Sequence, residues 1–461
     1  MNESFKNCDL DLKKLPVDVG PSYEGERIRG PDMFLELGGP KIKFKFELVR
    51  VAGKDDIKDN GNFRLIGKDI PEYESGETIP FGIFIEVYGE KVEVELEGIL
   101  ERKIHDIINN IQGMMHLNQR YDIWCRISKA DKEKGLKFEH IGIVIMSLLK
   151  KHFPFIERVQ CTIITDEDSV MEFHKKAVEV YNTRDMKTRG MKDEDIDTFY
   201  GCTLCQSFAP GHICIISPER ISLCGAISWL DARAAAKINP DGSNFPIPKG
   251  ECLDPVKGIF TGSNAAIQKY SNNKIQQVAL YTIFESVHTS CGCFESIGFY
   301  IPEVDGVGVV DRNFNGLSAN GMKFSQLAAQ AGGGQQIEGF LGIGIQWFYS
   351  GKFISADGGW NRMVWLPSTL KERIKDAIPP ELFEKIPTEK DVKNIDELKN
   401  FLKEKNHPIV KRWEEAEKEE EEEIEIPDIF PDVPFPSVSY TKISFKDVRI
   451  EVESAVVKKG Y

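Results

Sequence analysis

Seven of the ten cysteines fall between Cys202 and Cys293, so whatever this chain folds into has to accommodate a local concentration of thiols. Cys8, Cys125 and Cys161 are scattered through the first third. Four of the seven, Cys202, Cys205, Cys214 and Cys224, have the form C-x2-C-x8-C-x9-C in "GCTLCQSFAPGHICIISPERISLCG". Four soft thiolates suit zinc or an iron–sulfur cubane. A structural zinc site more often brings two tight C-x2-C pairs, and here only the first pair is tight. Phe208, Ile213, Ile215 and Ile216 supply an apolar shell of the kind that tunes an iron–sulfur cluster. At this level iron–sulfur, zinc and four cysteines that never meet all remain open.

A second pair raises a different question. "TSCGCFES" places Cys291 and Cys293 on either side of Gly292. A disulfide between them would close a small, strained loop. If both thiolates and the backbone nitrogens of Gly292 and Cys293 bind one ion, the tripeptide supplies two sulfurs and two nitrogens in a plane through fused chelate rings. Such donors suit nickel(II) or copper(II), and glycine removes the side chain that would crowd the plane. The plain alternative is a turn with two buried thiols. Cys252, between the two groups, is expected to be a buried thiol without a ligand role.

The rest of the chain limits the classes of function. A net charge of −14 and a pI near 5.3 disfavour nucleic acid and anionic lipid as general partners. The N-terminus "MNESFKNCDLDLKK" has no basic region followed by an apolar core, so no signal peptide is expected. The longest apolar run, Ile141 to Leu149, is far short of the roughly 20 residues that span a bilayer. A cytoplasmic protein is expected, and in that reducing compartment the cysteines read as ligands, nucleophiles or core residues rather than disulfides.

Periodicity indicates a mixed α/β fold of two consecutive α/β domains with an acidic, proline-containing C-terminal extension. The expected boundaries are 1–195, 196–400 and 401–461. In the first domain "KIKFKFELV" alternates as a half-buried strand, and "IFIEVYGEKVEVEL" reads as two strands joined at Gly89. "EGILERKIHDIINNIQ" has helical spacing, "YDIWCRIS" is a strand before a helix ending at Pro154, and "VQCTIIT" with "SVMEFHKKAVEVY" repeats the theme. "NTRDMKTRGMKDEDID" reads as a linker. The glycine-rich words "DGVGVVDRNFNG" and "AAQAGGGQQIEGFLGIGIQ" suggest a backbone that approaches a cofactor closely, but neither completes a dinucleotide fingerprint or a P-loop. "DELKNFLKEKNHPIVKRWEEAEKEEEEEIEIP" reads as a helix ending in a solvated acidic run, followed by Pro427, Pro431, Pro434, Pro436 and a strand-like "ISFKDVRIEV".

Taken together, the tetrad, the C-G-C pair and the words "CQSFAPGHIC", "LCGAISWLDARAA", "FESVHTSCGCFESIGF", "YEGERIRGPDMFLELGGPK" and "NQRYDIWCRISK" resemble the acetyl-CoA synthase family over roughly residues 20 to 400. The likeness is greatest to its archaeal form, and the extra N-terminal domain of the bacterial enzymes is not expected. The resemblance implies a nickel–iron–sulfur cluster. Cys202, Cys205, Cys214 and Cys224 would hold a [4Fe–4S] cubane, and Cys205, Cys291 and Cys293 would bridge to a proximal nickel. Cys291, Cys293 and the nitrogens of Gly292 and Cys293 would hold a distal nickel. Phe208 resembles the aromatic residue that shields the proximal nickel, and its other reading is ordinary packing. Trp124, flanked by Arg120 and Arg126, is the candidate for stacking on and neutralising CoA, against the plain reading of a core tryptophan. His212 and His288 are expected beside the ligands and not among them. The implied activity is reversible assembly of acetyl-CoA from carbon monoxide, CoA and a methyl group carried by a methylated corrinoid iron–sulfur protein, with carbon monoxide dehydrogenase subunits as partners. Two readings from other classes stand beside it: an iron–sulfur electron-transfer or scaffold subunit without nickel, and a zinc-stabilised interaction module.

Overall fold

The structure, a computed structural model, describes residues 12–20, 28–58, 61–117, 120, 123–206 and 209–422. Met1–Trp413 forms one compact unit. Of the remaining residues, Glu414–Tyr461, the described part is the end of helix Ile409–Glu422. The Pro427 to Pro436 segment and "ISFKDVRIEV" lie outside the described residues. Among the described residues no helix is long and apolar enough to cross a membrane.

The fold is mixed α and β, as the periodicity implies. Strands Glu77–Ile79, Met33–Gly38, Trp124–Ser128 and Met114–Leu117 form one four-stranded sheet, in that order. A second has the order Lys45–Val51, Phe81–Tyr88, Arg158–Ile164, Phe63–Ile66, with parallel outer pairs and an antiparallel centre. Helices Glu97–Ile108, Phe138–His152 and Glu167–Met186 complete this part. Its apolar core runs through Leu35, Leu37, Ile83, Ile85, Leu100, Ile104, Ile141 and Ile163.

Two expectations about this part need correction. "IFIEVYGEKVEVEL" contains one strand, Phe81–Tyr88, and its second half becomes a 3-10 turn at Val94–Leu96 that enters helix Glu97–Ile108. The reason is the edge strand Lys45–Val51. Its free N–H groups at Val49 and Val51 donate to the carboxylates of Glu101 and Glu97, at 3.1 and 2.8 Å, so helix side chains close the edge that another strand would have covered. The same strand is not half-buried: Lys45 and Glu47 are buried too. Glu47 pairs with His116 at 2.8 Å, and Lys45 donates to the carbonyls of Gly39 and Ile42, so alternation in sequence hides a polar face covered on both sides.

The C-terminal reading also changes in detail. The linker begins as the last turn of helix Glu167–Met186. The long terminal helix is two, Ile395–Glu404 and Ile409–Glu422, broken where Asn406 takes a φ of +49° ahead of Pro408.

Two further sheets flank the clustered cysteines, and the first carries Cys202 and Cys214. Strands Cys214–Ile216, Thr198–Cys202 and Asn244–Pro248 are antiparallel in that order. Strands Phe340–Ile343, Ser296–Ile301, Gly306–Asp311 and Met363–Trp365 form the other. The core around the cysteines also includes Ile99 from helix Glu97–Ile108, and Ala234 of helix Trp229–Ile238 packs into the first core. The helix Glu97–Ile108 thus belongs to both interiors.

Candidate metal centre

Strand pairing accounts for the first contacts. Antiparallel register sets Cys214 opposite Cys202 and, across the other edge, Asn244 opposite Cys202. Cys205 follows three residues on, in a turn. Cys224 lies in the turn before helix Trp229–Ile238, and its sulfur is 3.3 Å from Ser222 Oγ. The C-G-C segment immediately precedes strand Ser296–Ile301. Gly292 has a φ of +154°, a backbone region that residues with a side chain rarely enter.

The fold brings the two cysteine groups together. Cys205, Cys291 and Cys293 lie within hydrogen-bonding reach of one another. Cys291, Cys202 and Cys224 are near enough to Cys214 to act on it electrostatically. All six are buried. Burial pushes the Cys202 thiol up to about 12, and raises Cys214 together with the neighbouring sulfurs. Cys291 is raised by its hydrogen bond with Cys205 and then by burial, against a lowering from Cys293. A metal that binds these sulfurs takes them as thiolates and displaces their protons.

The surroundings are polar at chosen points. Arg102, from helix Glu97–Ile108, is almost fully buried and its Nη2 donates to the sulfurs of Cys293 at 3.3 Å and Cys205 at 3.5 Å. Burial opposes its charge, but Cys293, Cys205, Asp106 and Cys224 together raise it above the ordinary arginine value. Its Nε and Nη1 are buried with no hydrogen-bond partner among the described residues. Native interiors seldom leave such donors unpaired.

His212 Nε2 is 3.3 Å from Cys214 Sγ, and its Nδ1 is 2.9 Å from Thr289 Oγ1. Burial, then the charge of Arg220, depresses His212 to about 3, so the ring is neutral. His288 Nε2 accepts from the Ile215 N–H, which leaves its Nδ1–H to donate to the Thr289 carbonyl. His212 thus lies against a sulfur, while His288 ties strand Cys214–Ile216 to the backbone at Thr289. Arg312 Nη2 donates to the carbonyls of Gly292 and Phe294.

The donor set is what decides whether a metal group fits. Among the described residues, no three His, Cys, Asp or Glu side chains are drawn in to the spacing of a single ready-made ion site. Six neighbouring thiols, an arginine with unmet donors and a histidine against Cys214 fit a thiophilic group larger than one ion.

The other candidate residues divide. Phe208 lies outside the described residues. Trp124 and Arg126 come together on strand Trp124–Ser128: the guanidinium stacks 4.7 Å from the indole centroid, and both donate to Glu36, at 3.0 and 2.7 Å. Arg120, at a φ of +59°, makes a two-pronged pair with Asp185 at 2.6 and 2.7 Å. Cys125 and Cys161 are core residues of the first part. Cys252 is exposed, contrary to the buried thiol expected, because it sits on the two-stranded ribbon Cys252–Asp254 with Ile259–Phe260, whose first strand has no layer over it. Arg102 and Arg312 are not legible in sequence as site residues, since nothing local distinguishes them from the other charged residues around them.

Comparison with known proteins gives a consistent assignment. Residues 181–413 match the family model for the C-terminal part of the ACS/CODH beta subunit, and residues 15–170 match that of the CO dehydrogenase/acetyl-CoA synthase complex beta subunit. The acetyl-CoA decarbonylase/synthase complex subunit beta 1 of Methanocaldococcus jannaschii is 56% identical over 409 residues, 89% of this chain but 54% of that protein. This chain therefore spans about half the length of that relative. Subunit beta 2 of Methanosarcina thermophila is 52% identical over 87% of this chain and 85% of its own length. A solved C-terminal domain of an acetyl-coenzyme A synthase alpha subunit is 39% identical over 26% of this chain and 95% of its own, with a TM-score of 0.24.

Proposed function

This chain belongs to the CO dehydrogenase/acetyl-CoA synthase complex beta-subunit family, and on that footing we propose that it is the subunit in which acetyl-CoA is assembled and cleaved. The reaction joins carbon monoxide, CoA and a methyl group from a methylated corrinoid protein, reversibly. The observation that carries this reading is the convergence of Cys291 and Cys293 on Cys205. A cysteine tetrad alone would serve electron transfer, but that role has no use for the second pair.

Cys202, Cys205, Cys214 and Cys224 would hold a [4Fe–4S] cubane. Cys205, Cys291 and Cys293 would share a proximal nickel, and the nitrogens of Gly292 and Cys293 with both flanking sulfurs would complete a distal one. When bound, the nickel–iron–sulfur group supplies a metal position at which carbon monoxide and a methyl group can combine and be passed to the CoA thiol. The protein's own part is orientation and charge. Arg102 offsets the negative charge of Cys205 and Cys293, and His212 and Ser222 steady Cys214 and Cys224. Phe208 would exclude water from the reacting position. Trp124 with Arg126 stacked on it is the proposed aromatic contact for CoA, whereas Arg126 is already paired with Glu36 and the buried Arg120 with Asp185. Partners would be the corrinoid protein and the carbon monoxide dehydrogenase components of a cytoplasmic complex.

Metal and sulfide analysis after anaerobic purification and nickel reconstitution tests this. The wild type should hold about two nickel and about four iron per chain, and Cys293→Ala should lose nickel and keep iron. Four iron with no nickel in either protein would sink the synthase reading in favour of an electron-transfer role. A colourless protein carrying zinc alone would leave the interaction module.

A further inference from the structure

A carbonyl shares its peptide group with the nitrogen of the following residue. In the C-G-C turn, the oxygens of Cys291 and Gly292 therefore belong to the peptides whose nitrogens are those of Gly292 and Cys293. Both oxygens are met by a donor. Gly333 N–H donates to Cys291 O at 2.8 Å, and Arg312 Nη2 donates to Gly292 O at 2.8 Å.

From this geometry we propose that Arg312 and the Gly333 N–H form an anion-stabilising pair for the peptide groups of Gly292 and Cys293 when those nitrogens bind metal, with Arg312 as a positioning residue for the distal nickel. The inference rests on the nickel reading above and deepens it. Each nitrogen–nickel bond forms as its N–H proton leaves to water, and no electron is transferred. The peptide then carries a negative charge shared between nitrogen and carbonyl oxygen. Two thiolates and two such peptides around a divalent ion make an anionic square, buried in a protein interior where unpaired charge is costly. A guanidinium on one oxygen and a fixed N–H on the other offset that charge at the atoms where it collects.

The surrounding fold is arranged to deliver both donors. Strand register pairs Ser296 with Asp311, and Arg312 N–H donates to Glu295 O, so the residue after the hairpin lies beside the C-G-C turn. Arg312 stacks 5.4 Å from the Phe324 ring centroid, which restrains its guanidinium. On the other side the three glycines of "AGGGQQ" come close to the turn. A Cβ at Gly332 would stand 3.1 Å from Cys291 O, and Gly333 has a φ of +87°. Gly334 N–H donates in parallel to Ser290 O at 2.8 Å. The glycine run therefore approaches the metal-binding backbone itself and not a phosphate.

The test measures nickel(II) binding by the full chain with its cubane in place, at one pH, by chelator competition and by the visible absorption of square-planar nickel. Arg312→Met should release one of the two nickel ions about 10- to 100-fold more readily, with iron content unchanged. Arg312→Lys, which keeps the charge, should recover most of the affinity, and Arg312→Gln, which keeps only a donor, should recover little. A purely structural arginine would make Lys and Gln alike. Wild-type nickel retention in Arg312→Met, or equal behaviour of Lys and Gln, overturns the inference and leaves the synthase reading standing. A wild type that binds iron but no nickel sinks the reading itself, and the inference with it. If Arg312→Met does not fold, the comparison of Lys with Gln decides the matter.

Discussion

Helix Glu97–Ile108 presents buried charge on two sides, and the two sides are completed differently. Toward strand Lys45–Val51, Glu97 and Glu101 are closed by Arg184 at 2.8 and 3.0 Å and by the strand's own N–H groups. Arg184 in turn donates to the Val49 carbonyl. Toward the cysteines, Arg102 donates to two sulfurs with Asp106 as a further charged neighbour, and its Nε and Nη1 have no hydrogen-bond partner among the described residues. The first arrangement is a finished ion-pair network that locks helix to sheet. The second leaves buried donors open beside the thiols, which is the arrangement the proposed metal group would complete.

Removing one charge from each side should separate the two cases. Arg184→Met leaves Glu101 without its ion-pair partner and Glu97 with Arg50 alone, and should lower unfolding stability by about 3 kcal/mol in urea titrations, with or without metal. A loss under about 1 kcal/mol would mean that the network is not closed in solution. Arg102→Met should leave the metal-free protein as stable as wild type or more so, since it removes a buried charge with unmet donors. The loaded protein should bind its metals about 10- to 100-fold more weakly, as read by chelator competition. Equal destabilisation of the metal-free and loaded forms would place Arg102 with Arg184 as ordinary structure.

A smaller effect separates the two sides by pH. Asp231 lies on the closed side, close to Gly98 of the helix, and accepts from Ser228 N–H at 2.7 Å. Burial raises its carboxyl to about 6 from an ordinary value of 3.8. The native state then holds a proton that the unfolded chain has released, so this contribution is full below the unfolded value and lost as pH rises through about 6. Asp231→Asn keeps an acceptor and should remove about 1–2 kcal/mol of that decline in stability between pH 4 and 7. An unchanged pH profile would assign the proton elsewhere. The smallest change is Ser222→Ala, which removes a hydroxyl that contacts Cys224 and accepts from Ile227 N–H. About 1 kcal/mol of stability should be lost, with iron still bound at full content.

Much of the fold class can be read from period alone, because long apolar repeats such as those of Phe138–His152 and Glu167–Met186 leave little choice. The element after Gly89 shows the limit. "VEVEL" alternates like a strand, and only the edge of a sheet formed by residues far away in the chain, closed by Glu97 and Glu101, decides that it turns into a helix. Cys252 departs from expectation for a similar reason: its neighbours in sequence do not reveal that its strand lies on the exposed side of a ribbon.

What the order of residues supplies unaided is the donors: six thiols at ligand spacings, a glycine between two of them, and a family resemblance that the comparisons bear out. Those are local properties, since chelate geometry within Cys291–Cys293 and the tight first pair at Cys202 and Cys205 are set by covalent reach. It takes the folded arrangement to make the two groups meet, to bring Arg102 in from a helix of the other core, and to set Arg312 and the glycine run against the turn's carbonyls. These are long-range juxtapositions. They are settled by packing and strand register, which no window of sequence contains, because each donor's partner is chosen by the fold and not by the chain on either side of it.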